Sequence, residues 1–158
     1  MAARGALEGV VSGGQTGVDR AALDAAAALG LGAGGWCPRG RRAEDGTIPA
    51  RYRLVETPTP RYLDRSRWNV RDSDATLVLI RGRPSGGTRE TVGAARAMGR
   101  PLLVVDLDRP TSPAAVRRWL ADNGVRVLNV AGPRESECPG IAAAAARFLG
   151  AVLDGGGG

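Results

Sequence analysis

The run Ala75-Thr76-Leu77-Val78-Leu79-Ile80, followed at once by Arg81-Gly82-Arg83-Pro84-Ser85-Gly86-Gly87-Thr88, decides the fold. Six residues are strand length, and the run carries no polar alternation that would turn one face to water. It therefore predicts a strand buried on both faces, the habit of parallel sheets. Working outward, helical spacing over residues 88–98 ends at Gly99, and residues 101–107 (PLLVVDL) form a second apolar run. Ser112-Pro113 is a helix start, with Ser as N-cap and Pro at the first helical position, and that helix stops at Asn123-Gly124. Residues 125–130 predict a last strand, and Ile141, Ala145, Phe148, Leu149 and Val152 share one face of a final helix. Upstream, residues 9–11 seed a strand, and Val18, Ala22, Ala25 and Leu29 recur at helical spacing until Gly30. A short segment over 31–37 enters an Arg-rich loop, residues 52–55 predict a short strand, and 62–71 a helix. Apolar strands separated by helices of about 10 to 15 residues predict an α/β fold. It is a single Rossmann-like three-layer domain over residues 1–154, with a mostly parallel sheet, right-handed crossovers and a disordered glycine tail at 155–158.

A chain of 158 residues, 43% hydrophobic and 24% charged, suits one domain. No apolar run reaches the roughly 20 residues of a membrane span. Residues 1–8 lack the apolar core of a signal peptide, so a cytoplasmic protein without membrane contact is expected. The absences are more informative. There is no His, and all 22 basic residues are Arg. That excludes Ser-His-Asp and Cys-His catalysis, His-ligated zinc, Schiff-base lysines and a Walker lysine. The net charge of +6 raises a nucleic-acid reading, which six aromatic residues and an Ala- and Gly-heavy composition disfavour. A small anionic ligand is the better use of arginine forks. Cys37 and Cys138 are too few and too far apart for a metal framework and read as free thiols.

In such a sheet, ligands bind beyond the carboxyl ends of the strands, where loops lead into helix N-termini. Three loops there share one character. They are Ser12-Gly13-Gly14-Gln15-Thr16-Gly17-Val18-Asp19-Arg20, the glycine loop after Ile80, and Asn129-Val130-Ala131-Gly132-Pro133-Arg134-Glu135-Ser136. Glycines let the backbone approach an anion closely, and Thr16, Ser85, Thr88 and Ser136 add hydroxyl donors. None of the three is a dinucleotide fingerprint or a P-loop. In residues 35–46, Trp36 offers a ring for stacking, and Arg39, Arg41 and Arg42 offer an anion clamp. Cys37 reads either as a soft ligand for a metal such as molybdenum or as a buried thiol. Asn69 either points to a ligand or caps the next strand. The acids near the loops are Asp19, Glu44, Asp45 and Glu90. Asp19 and Glu90 are expected in the first turns of helices, where a carboxylate is favoured by the dipole alone. No catalytic pair and no metal ligand set is assigned.

Five segments carry a family resemblance: SGGQTGVDRAALDAA (12–26), GWCPRGRRAEDGTIP (35–49), WNVRDSDATL (68–77), SGGT (85–88) and LNVAGPRES (128–136). Together they resemble the putative molybdenum carrier family, a circularly permuted YpsA-like group of the SLOG superfamily. The resemblance is collinear over nearly the whole chain. It extends in fold to the molybdenum cofactor carrier proteins and the lysine-decarboxylase-like phosphoribohydrolases. It implies a carrier or sensor, commonly a homodimer or higher oligomer, that holds molybdenum cofactor or a nucleotide-like phosphate ligand. By the same resemblance Gly13, Gly14, Thr16 and Gly17, with Ser85, Gly86, Gly87 and Thr88, are the phosphate cradle. The full set of expected ligand-binding residues adds Ser12, Gln15, Asp19, Arg20, Trp36, Cys37, Arg39 and Asn69. The phosphoribohydrolase signature P-G-G-x-G-T-x-x-E is shortened here, where Pro84 to Glu90 loses a glycine. The alternative of a phosphoribohydrolase acting on a nucleoside monophosphate stays open, with Glu90 or Asp19 as acid/base and Arg20 on phosphate.

Overall fold

The computed structural model describes residues 6–154; the glycine tail expected at 155–158 lies outside them. Among the described residues, nine strands and five helices follow in chain order. They are β1 (Gly9–Val11), α1 (Val18–Ala28), β2 (Gly32–Gly34), β3 (Trp36–Cys37), β4 (Arg42–Ala43), β5 (Gly46–Thr47), β6 (Val55–Glu56), α2 (Tyr62–Arg71), β7 (Ala75–Ile80), α3 (Gly86–Ala97), β8 (Leu102–Asp106), α4 (Pro113–Asp122), β9 (Val127–Ala131) and α5 (Ile141–Asp154).

Five strands form one sheet in the order β2-β1-β9-β7-β8, and every pairing in it is parallel. All six residues of β7 are buried, because this strand has a partner on each edge and a helix layer on each face. Its Leu77 and Leu79 join Val10, Leu128 and Val130 beneath α1, α4 and α5 in the main apolar cluster. Val78 and Ile80 point the other way, against Val92 of α3, and α2 packs beside α3 through Val70, Ala94 and Ala95. The result is the expected α/β three-layer, Rossmann-like architecture. Moves of the chain toward β2 (β1 to β2, β8 to β9) place α1 and α4 on one face. Moves toward β8 place α2 and α3 on the other, as a single crossover hand requires.

Local chemistry sets the ends of the elements. The Ser112 hydroxyl accepts the Ala115 N–H at 3.1 Å, and Pro113 opens α4. The Glu135 carboxylate accepts the N–H groups of Gly140 and Ala142 at 2.7 and 3.1 Å, capping α5. The Asp74 carboxylate accepts the N–H groups of Arg126 and Val127 at 3.0 and 2.9 Å and so guides β9 into place beside β7.

Three expectations shift. The segment 31–37 is two strands, β2 in the main sheet and β3 paired with β6 in a separate two-stranded ladder. The strand expected over 52–55 is the two-residue β6 at Val55–Glu56, because the Tyr52 N–H turns back to the Pro49 carbonyl at 3.1 Å. The Arg-rich loop holds a short antiparallel hairpin, β4–β5.

Candidate functional site

Neighbouring strands β9 and β7 send their chains to opposite faces of the sheet, β9 to α5 and β7 to α3. A crevice opens at such a switch point. Here it is a cavity of about 220 Å³ at the carboxyl ends of β1, β9 and β7. The β1–α1 loop contributes Gly13, Gln15 and Asp19, and α2 contributes Tyr62, Arg65, Ser66 and Asn69. The N-terminal part of α3 contributes Gly87, Thr88, Glu90 and Thr91, and β9 with its loop contributes residues 129–132, Arg134 and Glu137.

Arg65 is the residue that sequence reasoning missed. It is 8% exposed. Its Nη1 donates to the Gly13 carbonyl at 2.9 Å and its Nε to the Ser66 hydroxyl at 3.1 Å. Nη2 makes no hydrogen bond among the described residues. Gly13 makes room for it: a Cβ there would sit 2.5 Å from Nη1. Asp19 lies nearby, 6% exposed, and its Oδ2 accepts the Gln15 N–H at 3.2 Å. Burial pushes the Asp19 carboxyl above the usual carboxylate range, and the Arg65 charge opposes that shift in part. Burial likewise pulls the Arg65 guanidinium below its ordinary value, against the pull of Asp19. Opposite stands the N-terminus of α3. Its N-cap Ser85 makes no side-chain capping bond, so the first N–H groups of the helix lack that partner. Thr88, buried at 5% exposure, donates no side-chain hydrogen bond among the described residues. A buried guanidinium and helix-terminal donors around one cavity are groups chemically suited to an anion.

The other expected residues divide. Gly13, Gln15, Asp19, Asn69, Gly87 and Thr88 border the cavity. Ser12 lies beneath it, its hydroxyl donating to the Val130 carbonyl at 2.6 Å. Gly14 is held from outside by Arg20, whose Nε donates to its carbonyl at 2.9 Å. Gly17 locks two loops together: with φ 81 it places its Cα so that a Cβ would fall 2.3 Å from the Pro133 carbonyl oxygen. Arg20 pairs with both Asp45 oxygens at 2.6 and 2.8 Å, turned away from the cavity, so it is not a phosphate ligand there. Ser85 and Gly86 are exposed at the rim.

The Trp-Cys-Arg wall does not form. Cys37 is fully buried with Leu23, Ala43, Ile48 and Tyr52 beneath the hairpin, and burial pushes its thiol up; it is the buried thiol of the two readings, not a metal ligand. Trp36 stands edge-on to Trp68 at 4.7 Å between centroids, and its Nε1–H donates to Asp72 at 2.8 Å. Its ring is thus closed off from the cavity. Arg39 is exposed, and the Arg41 guanidinium donates to the carbonyls of Ile48, Pro49 and Tyr52. Arg42 lies over the Tyr62 ring, 4.6 Å from its centroid. Asn69 borders the cavity but spends its amide on the backbone rather than capping the next strand. It accepts the Trp36 N–H at 2.8 Å and donates to the Trp36 carbonyl at 3.0 Å, tying β3 to α2. Because α3 starts at Gly86, Glu90 lies past its first turn, on the exposed rim. The signal that could have found Arg65 is the stripe Tyr62, Arg65, Ser66, Asn69, polar at the positions where α2 meets the sheet.

Among the described residues no helix is long and apolar enough to cross a membrane, and no group of three or more His, Cys, Asp or Glu side chains could hold a metal ion. The chain matches the circularly permutated YpsA SLOG family over residues 10–153. A comparison with curated proteins gives no match. Among solved structures, a crystal structure described as a putative molybdenum carrier protein from Syntrophus aciditrophicus SB is similar at 42% sequence identity. The likeness covers 94% of this chain and 96% of that one, with a TM-score of 0.90. With its switch-point cavity and glycine loops in this arrangement, the chain belongs to the circularly permutated YpsA SLOG family.

Proposed function

We propose that this chain is a single-domain cytoplasmic carrier or sensor. It holds a phosphorylated pterin- or nucleotide-like ligand of the molybdenum cofactor class, with the phosphate between Arg65 and the N-terminus of α3. The observation that carries the reading is the Arg65 guanidinium on the cavity lining, in a residue only 8% exposed. A buried cation of this kind is costly without a counter-charge, and burial disfavours the ionised form of its neighbour Asp19 as well. An anionic ligand completes the balance. The donors are guanidinium, hydroxyl and amide groups, which suit oxyanions and phosphate esters. No side-chain set for direct metal ligation exists among the described residues, so molybdenum is carried as cargo, already ligated by its cofactor or as molybdate. The similar crystal structure's description as a molybdenum carrier supports this reading.

Self-association belongs to the same proposal. An open groove of about 950 Å³ runs between α1 and α5, floored by Ala21, Ala25, Ala142 and Ala146. Such small side chains let helices of a second copy approach closely.

Isothermal titration of the protein with a pterin phosphate, a nucleoside monophosphate and molybdate tests the site. Saturable binding of one of them, weakened about tenfold or more (about 1.4 kcal/mol) in Arg65→Met, is expected. No saturable binding of any of the three rejects the reading, and light scattering that shows a monomer rejects the oligomer.

A further inference from the structure

Glu44 sits at the tip of the β4–β5 hairpin, yet its side chain is only 19% exposed. Its carboxylate accepts hydrogen bonds from the Thr16 hydroxyl and the Ser136 hydroxyl, and from the Ser136 N–H at 3.2 Å. The Arg134 Nε stands 3.9 Å away and is shared with the Glu137 carboxylate at 3.5 Å. These donors come from two separate glycine loops, after β1 and after β9. The Glu135 N–H donates to the Thr16 hydroxyl oxygen at 3.1 Å, which leaves the Thr16 proton free to point at the carboxylate. Two hydroxyls, an N–H and a guanidinium converging on one point are the donor set of an oxyanion pocket. These bonds hold the Glu44 carboxyl below its usual range.

The hairpin that delivers this carboxylate is anchored mainly by Ala43, buried with Cys37 and Ile48, and by Arg42 over the Tyr62 ring. Its strands are two residues each, and Arg42, Gly46 and Thr47 are exposed. Beyond Glu44, the tip is held by the Arg20–Asp45 pair and by Gln15, whose Oε1 accepts the Glu44 N–H at 2.9 Å. A segment with few buried contacts opens at low free-energy cost. Arg134 also borders the central cavity, so the two anion positions adjoin.

We propose that Thr16, Ser136 and Arg134 form a second oxyanion subsite beside the central cavity, suited to a phosphate-type group, and that Glu44 is its resident intramolecular occupant. A ligand oxyanion entering this subsite displaces the carboxylate and frees the hairpin tip. The inference goes beyond the central-cavity reading and does not require it, since the donors are different residues.

Inorganic phosphate is the probe, and phosphorus NMR titration counts the sites. Glu44→Gln is expected to bind one phosphate per chain more than the wild type, because the competing charge is gone while the donors stay. Adding Arg65→Met to Glu44→Gln leaves that extra site intact; adding Thr16→Ala and Ser136→Ala removes it. If the central-cavity reading alone is wrong, the wild type binds none and Glu44→Gln still binds one. A folded Glu44→Gln protein that binds no more phosphate than the wild type overturns the proposal. Should that variant not fold, hydrogen exchange on the wild-type protein decides. Saturating phosphate is expected to speed exchange of the amides of residues 42–47 at least threefold, and unchanged or slower exchange overturns it.

Discussion

On the face of the sheet covered by α1, α4 and α5, β7 presents Ala75, Leu77 and Leu79 to a cluster of fully buried aliphatic side chains. On the face covered by α2 and α3, the same strand presents Thr76, Val78 and Ile80, and the layer above buries Arg65, Asn69, Ser73, Thr88 and Thr91. One strand thus serves two layers of opposite character. The first removes hydrocarbon from water and does little else. The second gives up part of that gain to hold polar groups in fixed positions around the cavity. The cavity lies on the less apolar face because a guanidinium and open helix donors need a layer whose packing leaves room around them.

The contrast can be broken first where it is strongest. Leu77→Ala, at a fully buried position of the apolar face, is expected to cost about 2–5 kcal/mol in urea unfolding. A loss under 1 kcal/mol would mean that this face is not the one that stabilises the fold. On the polar face, Asn69→Ala strands the Trp36 N–H and carbonyl and is expected to cost about 1–3 kcal/mol. Trp fluorescence should shift with it, because the indole of Trp36 is held against Trp68 by the same tie; an unchanged spectrum with unchanged stability refutes that role. Ser112→Ala, at the exposed start of α4, removes only a helix cap and is expected to cost about 1 kcal/mol. Calorimetry giving a larger loss than Asn69→Ala would invert the ranking.

The smallest effect is a slope. The Asp19 carboxyl titrates in the folded protein above its ordinary value of 3.8. Between that value and its folded titration point, the folded state holds more proton than the unfolded chain. Asp19 therefore makes stability fall as pH rises through that window and level off above it. Glu44 and Asp45, whose carboxyls are held low, act in the opposite sense as pH falls. The difference between wild type and Asp19→Asn isolates the Asp19 part: the wild type should lose stability relative to the variant across the window. Parallel stability curves would show that Asp19 is not buried as described.

The apolar face was legible because its signal is repetition. ATLVLI and the helical spacing of Val18, Ala22 and Ala25 can be read without knowing what packs against them. The carboxyl-end loops were legible for a similar reason, since glycines after a strand mark a tight turn into a helix. The polar face was not. Arg65 lies in a helix with three other charged residues, and nothing local separates the one that turns inward from those that face water. Cys37 and Trp36 misled because their roles depend on tertiary partners. Cys37 is covered by Ile48 and Tyr52 across the hairpin, and Trp36 is steered by Asn69 and Asp72. Thr16 and Ser136 read as donors, as they are. Their acceptor, Glu44, is 28 residues from one and 92 from the other.

The place of β9 in the sheet has a consequence for how the molecule forms. It is the last strand in the chain, yet it lies between β1 and β7. Until it inserts, β2–β1 and β7–β8 are two short parallel pairs, each with an unpaired edge, joined only through loops and helices. Closing them requires partners more than fifty residues apart, Asp74 with Val127 among them. Contacts so distant in sequence slow the search for the native state. A chain interrupted before residue 127 exposes two open strand edges, the template on which chains add to one another. The switch-point cavity, which β9 and its loop border, therefore cannot exist until β9 is in place.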